Sequence, residues 1–229
     1  MGRAVLDAAH GRSDVAIAAA VDRADDLAVG LGSSDVYIDF SSPDATRAAA
    51  ELARIPAVIG TTGLDAAANR AIDELAKRAP VIVSANFSLG VNVMLGLVQA
   101  AARALGEWDA EVVETHHKAK RDAPSGTALA IARAIAAGHG VDYDAVKRHA
   151  RDGDVGPRPA GEIGVASVRG GDVVGEHVAY FFGAAERIEI AHRATSRAIF
   201  ATGAIRAAAW IVGKPAGRYT MLDVLGFGP

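Results

Sequence analysis

The chain has no cysteine in 229 residues. Disulfides, zinc–thiolate sites, iron–sulfur clusters and thiol nucleophiles are therefore excluded, and the usage fits a reducing cytoplasm. No apolar run approaches the ~18 uncharged residues of a membrane span, so no membrane partner is expected. No charged n-region with an apolar h-region opens the sequence, which again predicts a cytoplasmic protein. Charge of either sign is in small excess only: 24 Lys and Arg against 27 Asp and Glu leave a net −3. Without a basic field, nucleic acid is not an expected partner. Aromatics are scarce, at 5%. What is abundant is alanine, with 51 residues, which favours closely packed helices. A hydrophobic share of 51% against 22% charged residues is the balance of a folded globular chain. The length allows one or two domains.

Residues 1–87 alternate two textures. Val15–Val21, Val36–Phe40, Ala57–Gly60 and Val81–Ala85 are short β-branched runs that predict buried parallel strands. Alanine-rich helical segments lie between them at Arg3–Ala9, Pro43–Arg54 and Leu64–Arg78. Ser41-Ser42-Pro43-Asp44 is a helix start, with a serine at the cap, proline in the first turn and an early acid. Strand alternating with helix predicts an α/β, Rossmann-like domain with a parallel sheet. Ligands of such sheets sit at the carboxyl ends of the strands. Those ends carry Val21-Asp22-Arg23, Phe40-Ser41-Ser42, Gly60-Thr61-Thr62-Gly63 and Ala85-Asn86-Phe87-Ser88.

The texture then changes. A helix over Val91–Leu105 leads to an alternating strand, Asp109–His116, a polar loop, Lys118–Pro124, and a helix from Ser125. His149–Gly161 is polar and rich in Gly and Pro, as a mobile surface loop would be. Ile163–Arg169, Val173–Phe181 and Arg187–His192 have period 2. Consecutive strands with few helices predict an α+β domain with a mixed or antiparallel sheet. The last helix, Phe200–Val212, and the tail through Met221–Leu225 return to the first domain. The expected division is 1–87 rejoined by 201–229 for dinucleotide binding, and 88–200 for substrate binding and oligomerisation.

Five basic side chains fall within residues 116–121, and Pro124-Ser125-Gly126-Thr127 follows at a helix start. Free N–H groups at a helix N-terminus, with hydroxyls from Ser125 and Thr127, make a carboxylate receptor. Histidine supplies a proton donor near neutral pH, and lysine a positive charge or a proton when desolvated. The bland alternatives are a surface histidine pair, a solvated Lys/Arg loop and a simple cap. Asn86 and Gly60-Thr61-Thr62-Gly63 taken singly would be turn residues; their joint placement at strand ends of one sheet lifts them. No metal is expected, because adjacent histidines on a strand face opposite ways and no third ligand has telling spacing.

The string Glu114-Thr115-His116-His117-x-x-Lys120-x-Asp122-Ala123-Pro124-Ser125-Gly126-Thr127-Ala128 resembles the signature of the 4-hydroxy-tetrahydrodipicolinate reductase (dihydrodipicolinate reductase) family of lysine and diaminopimelate synthesis. Asp39-Phe40-Ser41-Ser42-Pro43, Gly60-Thr61-Thr62-Gly63, Asn86-Phe87-Ser88-Leu89-Gly90-Val91-Asn92, Gly175-Glu176-His177 and Phe200-Ala201-x-Gly203-Ala204 agree with it. The resemblance implies an NADH- or NADPH-dependent reductase of a small dicarboxylate, usually a homotetramer built through its C-terminal sheet. It implies His116 as general acid/base, Lys120 as second proton donor, and His117, Gly126 and Thr127 on the substrate's carboxylates. Gly60, Thr61, Thr62, Ser84, Ala85, Asn86 and Phe87 would line the cofactor. Asp22 would take the adenosine ribose hydroxyls and Arg23 a 2′-phosphate. The linker near Phe87–Val91 would be a hinge. One departure stands out: Met1-Gly2-Arg3 resembles the tail of the family's glycine-rich turn, and the strand before that turn is missing. The expectation is a reading frame that continues upstream for about ten residues, the length of one strand and a tight turn, and weak cofactor binding without them. The rival readings are a non-catalytic dicarboxylate-binding protein and a different dehydrogenase on the same fold.

Overall fold

A computed structural model describes residues 1–22 and 25–227. They form two units, 1–89 with the segment from Ala198 onward, and 90–197. The first unit starts with α1 (Gly2–Ala9), α2 (Leu27–Gly32), β1 (Tyr37–Asp39), α3 (Pro43–Leu52), β2 (Ala57–Ile59), α4 (Ala66–Ala76) and β3 (Pro80–Val83). The second holds α5 (Leu89–Ala104), β4 (Asp109–His116), α6 (Gly126–His139), α7 (Tyr143–Val146), β5 (Lys147–Arg148), β6 (Ile163–Arg169), β7 (Gly175–Phe182) and β8 (Arg187–Ala194). The chain then returns to the first unit as α8 (Ala198–Ile211), β9 (Gly217–Tyr219) and α9 (Met221–Val224).

In the first unit the strands run β1-β2-β3-β9, all parallel, with Ile38 beside Val58, Val58 beside Ile82 and Ile82 beside Tyr219. β2 is fully buried along its length, as a parallel strand covered on both faces must be. Ala57 and Ile59 pack with Ala50, Ile72 and Leu75 from α3 and α4. Val58 points the other way and packs with Ala204, Ala207, Ile211 and Met221 from α8 and α9. α3 begins as its sequence predicts: Ser42 caps it by accepting from the Ala45 N–H at 3.4 Å, with Pro43 and Asp44 in the first turn.

Val15–Val21 is not a strand. It forms no regular element, and Ile17 and Val21 are 50% and 44% exposed. The reason is the ladder, not the propensity. A strand needs a hydrogen-bonded neighbour, and among the described residues the sheet ends at β1. The segment instead runs beside α2, where a Cβ on Gly30 would come within 2.5 Å of Val21 Cγ2.

The second unit is a mixed sheet in the order β5-β6-β4-β7-β8. β4 pairs parallel with β6 and antiparallel with β7, and β7 pairs antiparallel with β8. The two-residue period of β4 sends Ala110, Val112, Glu114 and His116 inward. Ala110 and Val112 meet Ala128, Ile131, Ala132 and Ile135 of α6 and Met94, Val98 and Ala102 of α5. The loop over 149–161 is tied to this sheet by ions: Arg151 and Arg158 reach Glu111 at 2.7 and 3.1 Å, and Arg158 reaches Asp109 at 2.5 Å.

Candidate active site

In the first unit the candidate residues gather past the carboxyl ends of β1, β2 and β3. The Asp39 carboxylate, buried at the end of β1, organises two of these ends. It accepts from the Ser41 N–H at 2.8 Å, the Ser41 hydroxyl at 2.5 Å, the Thr46 hydroxyl at 2.5 Å and the Thr61 hydroxyl at 3.3 Å. Thr61 Oγ1 accepts in turn from the Ser41 N–H at 3.0 Å. Gly60 lies against the ring of Phe40: a Cβ there would sit 2.1 Å from Phe40 Cε1, so only glycine allows this closeness. Thr61 is buried and Thr62 exposed. Past β3, the Ser84 hydroxyl donates to the Asn86 carbonyl at 2.8 Å, and Asn86 Oδ1 accepts from the Ser88 N–H at 2.8 Å. Ala85 is exposed, whereas the Phe87 ring is core, edge-on to Phe40 at 5.6 Å. Asp22 lies exposed in an irregular segment, its N–H donating to the Asp25 carboxylate at 2.7 Å. Arg23 lies outside the described residues.

In the second unit the candidates gather where β4 ends and α6 begins. His116 is the last residue of β4 and is 9% exposed. Its Nδ1 meets the carboxylate of Glu114, two residues back on the same strand face. Backbone bonds hold the next residues: the His117 N–H donates to the Val173 carbonyl at 2.7 Å, and the Gly170 N–H to the His116 carbonyl at 3.0 Å. The Lys120 ammonium donates to both oxygens of Asp122, at 2.8 and 2.9 Å. Ser125 caps α6 by accepting from the Ala128 N–H at 3.1 Å. Gly126 and Thr127 are the first two residues of that helix, at its positive N-terminal end.

Beneath this site lie Glu114 and His177, present in the quoted motifs but without an expected role, and Arg169, outside them. Glu114 is fully buried and takes a bidentate pair from Arg169, at 2.9 Å to Oε2 and 2.8 Å to Oε1, and the Ser125 N–H at 3.2 Å to Oε1. Burial alone would raise its pKa, but hydrogen bonds from Arg169, Ser167 and His116 outweigh that and hold it down at about 2. His177, on β7, places Nε2 3.2 Å from Ser125 Oγ, and its ring stands edge-on to His116 with centroids 5.2 Å apart. Burial first, and the neighbouring His116 second, push its pKa down to about 4. The signal available for Glu114 was its i, i+2 spacing from His116 on an alternating strand. None existed for Arg169, 55 residues away on β6.

The comparisons with known proteins decide the family. Residues 1–87 match the family "Dihydrodipicolinate reductase, N-terminus", and residues 90–225 match "Dihydrodipicolinate reductase, C-terminus". The chain belongs to the dihydrodipicolinate reductase family. It is 47% identical to the 4-hydroxy-tetrahydrodipicolinate reductase of Caulobacter vibrioides, over 99% of this chain and 93% of that protein. It is 52% identical to the enzyme of that name from Anaeromyxobacter sp., over 88% of this chain and 77% of that protein. A dipicolinate-bound dihydrodipicolinate reductase from Paenisporosarcina sp. TG-14 superposes with a TM-score of 0.69 at 25% identity, covering 86% of this chain and 75% of that one. A diaminopimelate dehydrogenase from C. glutamicum, 16% identical with a TM-score of 0.51, shares the fold.

Dihydrodipicolinate reductases are pyridine-nucleotide-dependent oxidoreductases, and the strand ends of the first unit fit that group. Apart from the buried Asp39, their polar side chains are neutral hydroxyls and an amide, of the kind that suits a nicotinamide carboxamide. Among the described residues, no group of three or more His, Asp or Glu could hold a metal ion, and no helix is long and apolar enough to cross a membrane.

Proposed function

We propose that the chain reduces 4-hydroxy-tetrahydrodipicolinate to tetrahydrodipicolinate with NADH or NADPH, within lysine and diaminopimelate synthesis. Beyond family membership, one observation carries this reading. A buried imidazole, held by a carboxylate, stands at the end of β4, and the same carboxylate bonds the residue that opens α6. A proton donor and an anion receptor are thus fixed to one group.

Net, a hydroxyl is replaced by hydrogen: one hydride and one proton enter, and water leaves. The nicotinamide, when bound, supplies the hydride. The N–H groups of Gly126 and Thr127, the Thr127 hydroxyl and the His117 ring take the substrate's carboxylates. His116 supplies the proton, and Lys120 is the second donor, oriented by Asp122. In the first unit, Gly60, Thr61, Thr62, Ser84, Ala85, Asn86 and the main chain of Phe87 line the nicotinamide side. Asp22 takes the ribose hydroxyls and Arg23 the 2′-phosphate, so both cofactors are accepted. Residues 1–87 with 201–229 are then the dinucleotide-binding domain, and 88–200 the substrate-binding and oligomerisation domain. The protein works in the cytoplasm as a homotetramer. Its assembly face would be the side of the mixed sheet away from α6, where Val168 and Phe182 are 48% and 37% exposed.

The test is the fall in nicotinamide absorbance with freshly made substrate, run with each cofactor. Pyridine-2,6-dicarboxylate, the ligand named in the Paenisporosarcina structure, is expected to compete with substrate. Dicarboxylate binding without turnover would favour a non-catalytic binder.

A further inference from the structure

A carboxylate in a dry interior is costly unless every lone pair is met. Glu114 is such a group, and four of its contacts divide evenly between its oxygens. Oε2 takes Arg169 Nη1 and His116 Nδ1; Oε1 takes Arg169 Nη2 and the Ser125 N–H. Ser167 adds a further hydrogen bond. The two Arg169 groups and the Ser125 N–H can only donate, and they hold the carboxylate ionised, so that it can only accept.

That fixes the imidazole. Facing an ionised acceptor, His116 must carry a hydrogen on Nδ1, which leaves Nε2 as the nitrogen that exchanges its proton. The space beside Nε2 is kept clear by the absence of a side chain: a Cβ on Gly175 would come within 2.9 Å of it. The neighbouring His177 shares a hydrogen bond with Ser125 Oγ through Nε2. Burial disfavours its charged form, so it adds no positive charge beside His116 near neutral pH. Among the described residues, charged or titratable groups that bear on the His116–His177 pair include Glu114 on the His116 strand, Arg169 on β6 through Glu114, His192 on β8 beside His177, and Lys120 on the following loop.

We propose that Glu114 is a positioning residue: it holds His116 in the Nδ1–H tautomer, presents Nε2 for proton transfer and, through the Ser125 N–H, sets the ring's distance from the α6 N-terminus. This rests on the reading of His116 as the acid. The pair with Arg169 keeps Glu114 from competing for the proton that His116 handles. The substrate's carboxylate and its proton donor are then referenced to one buried group.

The first experiment needs no variant. Two-bond ¹⁵N–¹H spectra of the ¹⁵N-histidine-labelled wild-type protein, with His116→Asn to identify the signal, are expected to show the Nδ1–H form. An Nε2–H form overturns the proposal. The second is Glu114→Gln, which keeps the shape and removes the charge. A kcat loss of about 10–100-fold is expected, as for other groups that orient a functional histidine. The cofactor Kd should not change, and the histidine limb of the kcat–pH profile should move to lower pH because the imidazolium has lost its counter-charge. Glu114→Asp, which retains the charge, should recover part of the rate. A kcat loss with an unmoved limb, or Gln and Asp variants of equal rate, would mean that Glu114 only supports the fold. His116→Ala separates the two readings. If it is near normal, the assignment of His116 as acid fails. If it is inactive while Glu114→Gln is normal, only the positioning role fails.

Discussion

The two units place their polar residues differently. In the parallel-sheet unit the strands are largely apolar, with Ala57, Val58, Ile59, Val81 and Ile82 fully buried, and the polar groups gather at the strand ends and in the segments that follow them. There Asp39, Ser41, Thr46 and Thr61 bond to one another and tie loop to loop. In the mixed-sheet unit the polar groups lie on the strands themselves, under α6: Glu114 and His116 on β4, His177 on β7, Arg169 on β6. A loop site can adjust to a flexible nucleotide. A strand site is fixed by ladder register and cannot, because a slip of one residue would turn each of these groups to the other face. The first arrangement suits binding and the second suits chemistry. Lesions in the two units should therefore differ in kind.

The largest expected effect tests the second half of that statement. His116→Ala should lower kcat by about 10²–10⁴-fold, the usual contribution of a positioned acid/base. Lys120→Ala should do comparable damage. Cofactor affinity, read by fluorescence titration, should be unchanged in both. Near-normal turnover in both variants would remove the chemical role assigned to the strand site.

Legibility in the sequence follows the same division. The apolar strands and alanine-rich helices were readable because burial imposes a period: β4 and β6 lie within the residues that their alternation predicts. The sequence-specified start of α6 at Ser125 was equally plain. Val15–Val21 shows the limit, since its composition suits a strand but strand formation depends on a partner elsewhere. β9 was unreadable for the converse reason: Gly217–Tyr219 has no strand character and is a strand through its pairing with β3. α2 carried a signal that passed unread, the Asp26 carboxylate accepting from the Ala28 N–H at 2.9 Å. In the candidate site, the polar residues at strand ends and the helix start were legible as local clusters. The Glu114–Arg169 pair was not, because it joins residues that only the sheet brings together.

A smaller effect concerns acid. His177 has its folded-state pKa pushed down to about 4, whereas an unfolded histidine titrates near 6.5. The unfolded chain thus takes up this proton first, and stability falls as pH drops from about 6.5 to about 4. Glu114, held at about 2, adds stability above its unfolded value near 4.3 that is lost as pH falls towards 2. Each is worth at most about 3 kcal/mol. Both lie in the mixed-sheet unit, so that unit should lose structure first. Each unit has one tryptophan, Trp210 in the parallel-sheet unit and Trp108 in the other. Single-tryptophan variants titrated from pH 7 to 3 should show the Trp108 signal leading. If Trp210 leads, this difference between the units is wrong.

The smallest effect is expected in the parallel-sheet unit. Asp39→Asn keeps the shape but replaces an ionised acceptor, and the amide brings a donor to a carboxylate that faced donors on every side. The hydroxyls of Ser41, Thr46 and Thr61 can rotate to accept, whereas the Ser41 N–H cannot. The loss should therefore be about 1–2 kcal/mol, that of a charge-assisted bond made neutral, and not the full cost of several unpaired groups. It falls on the tie between the loop after β1 and the loop after β2, where the nicotinamide side of the cofactor is proposed to rest. The cofactor KM should rise roughly five- to thirty-fold if all of that energy is expressed in binding, while kcat at saturating cofactor stays within about twofold, as for lost ground-state binding. Steady-state kinetics with cofactor varied, alongside a thermal melt, measure both quantities. A fall in kcat with an unchanged cofactor KM would show that Asp39 serves the chemical step, and the contrast between a binding unit and a chemical unit would then fail at its best-ordered loop.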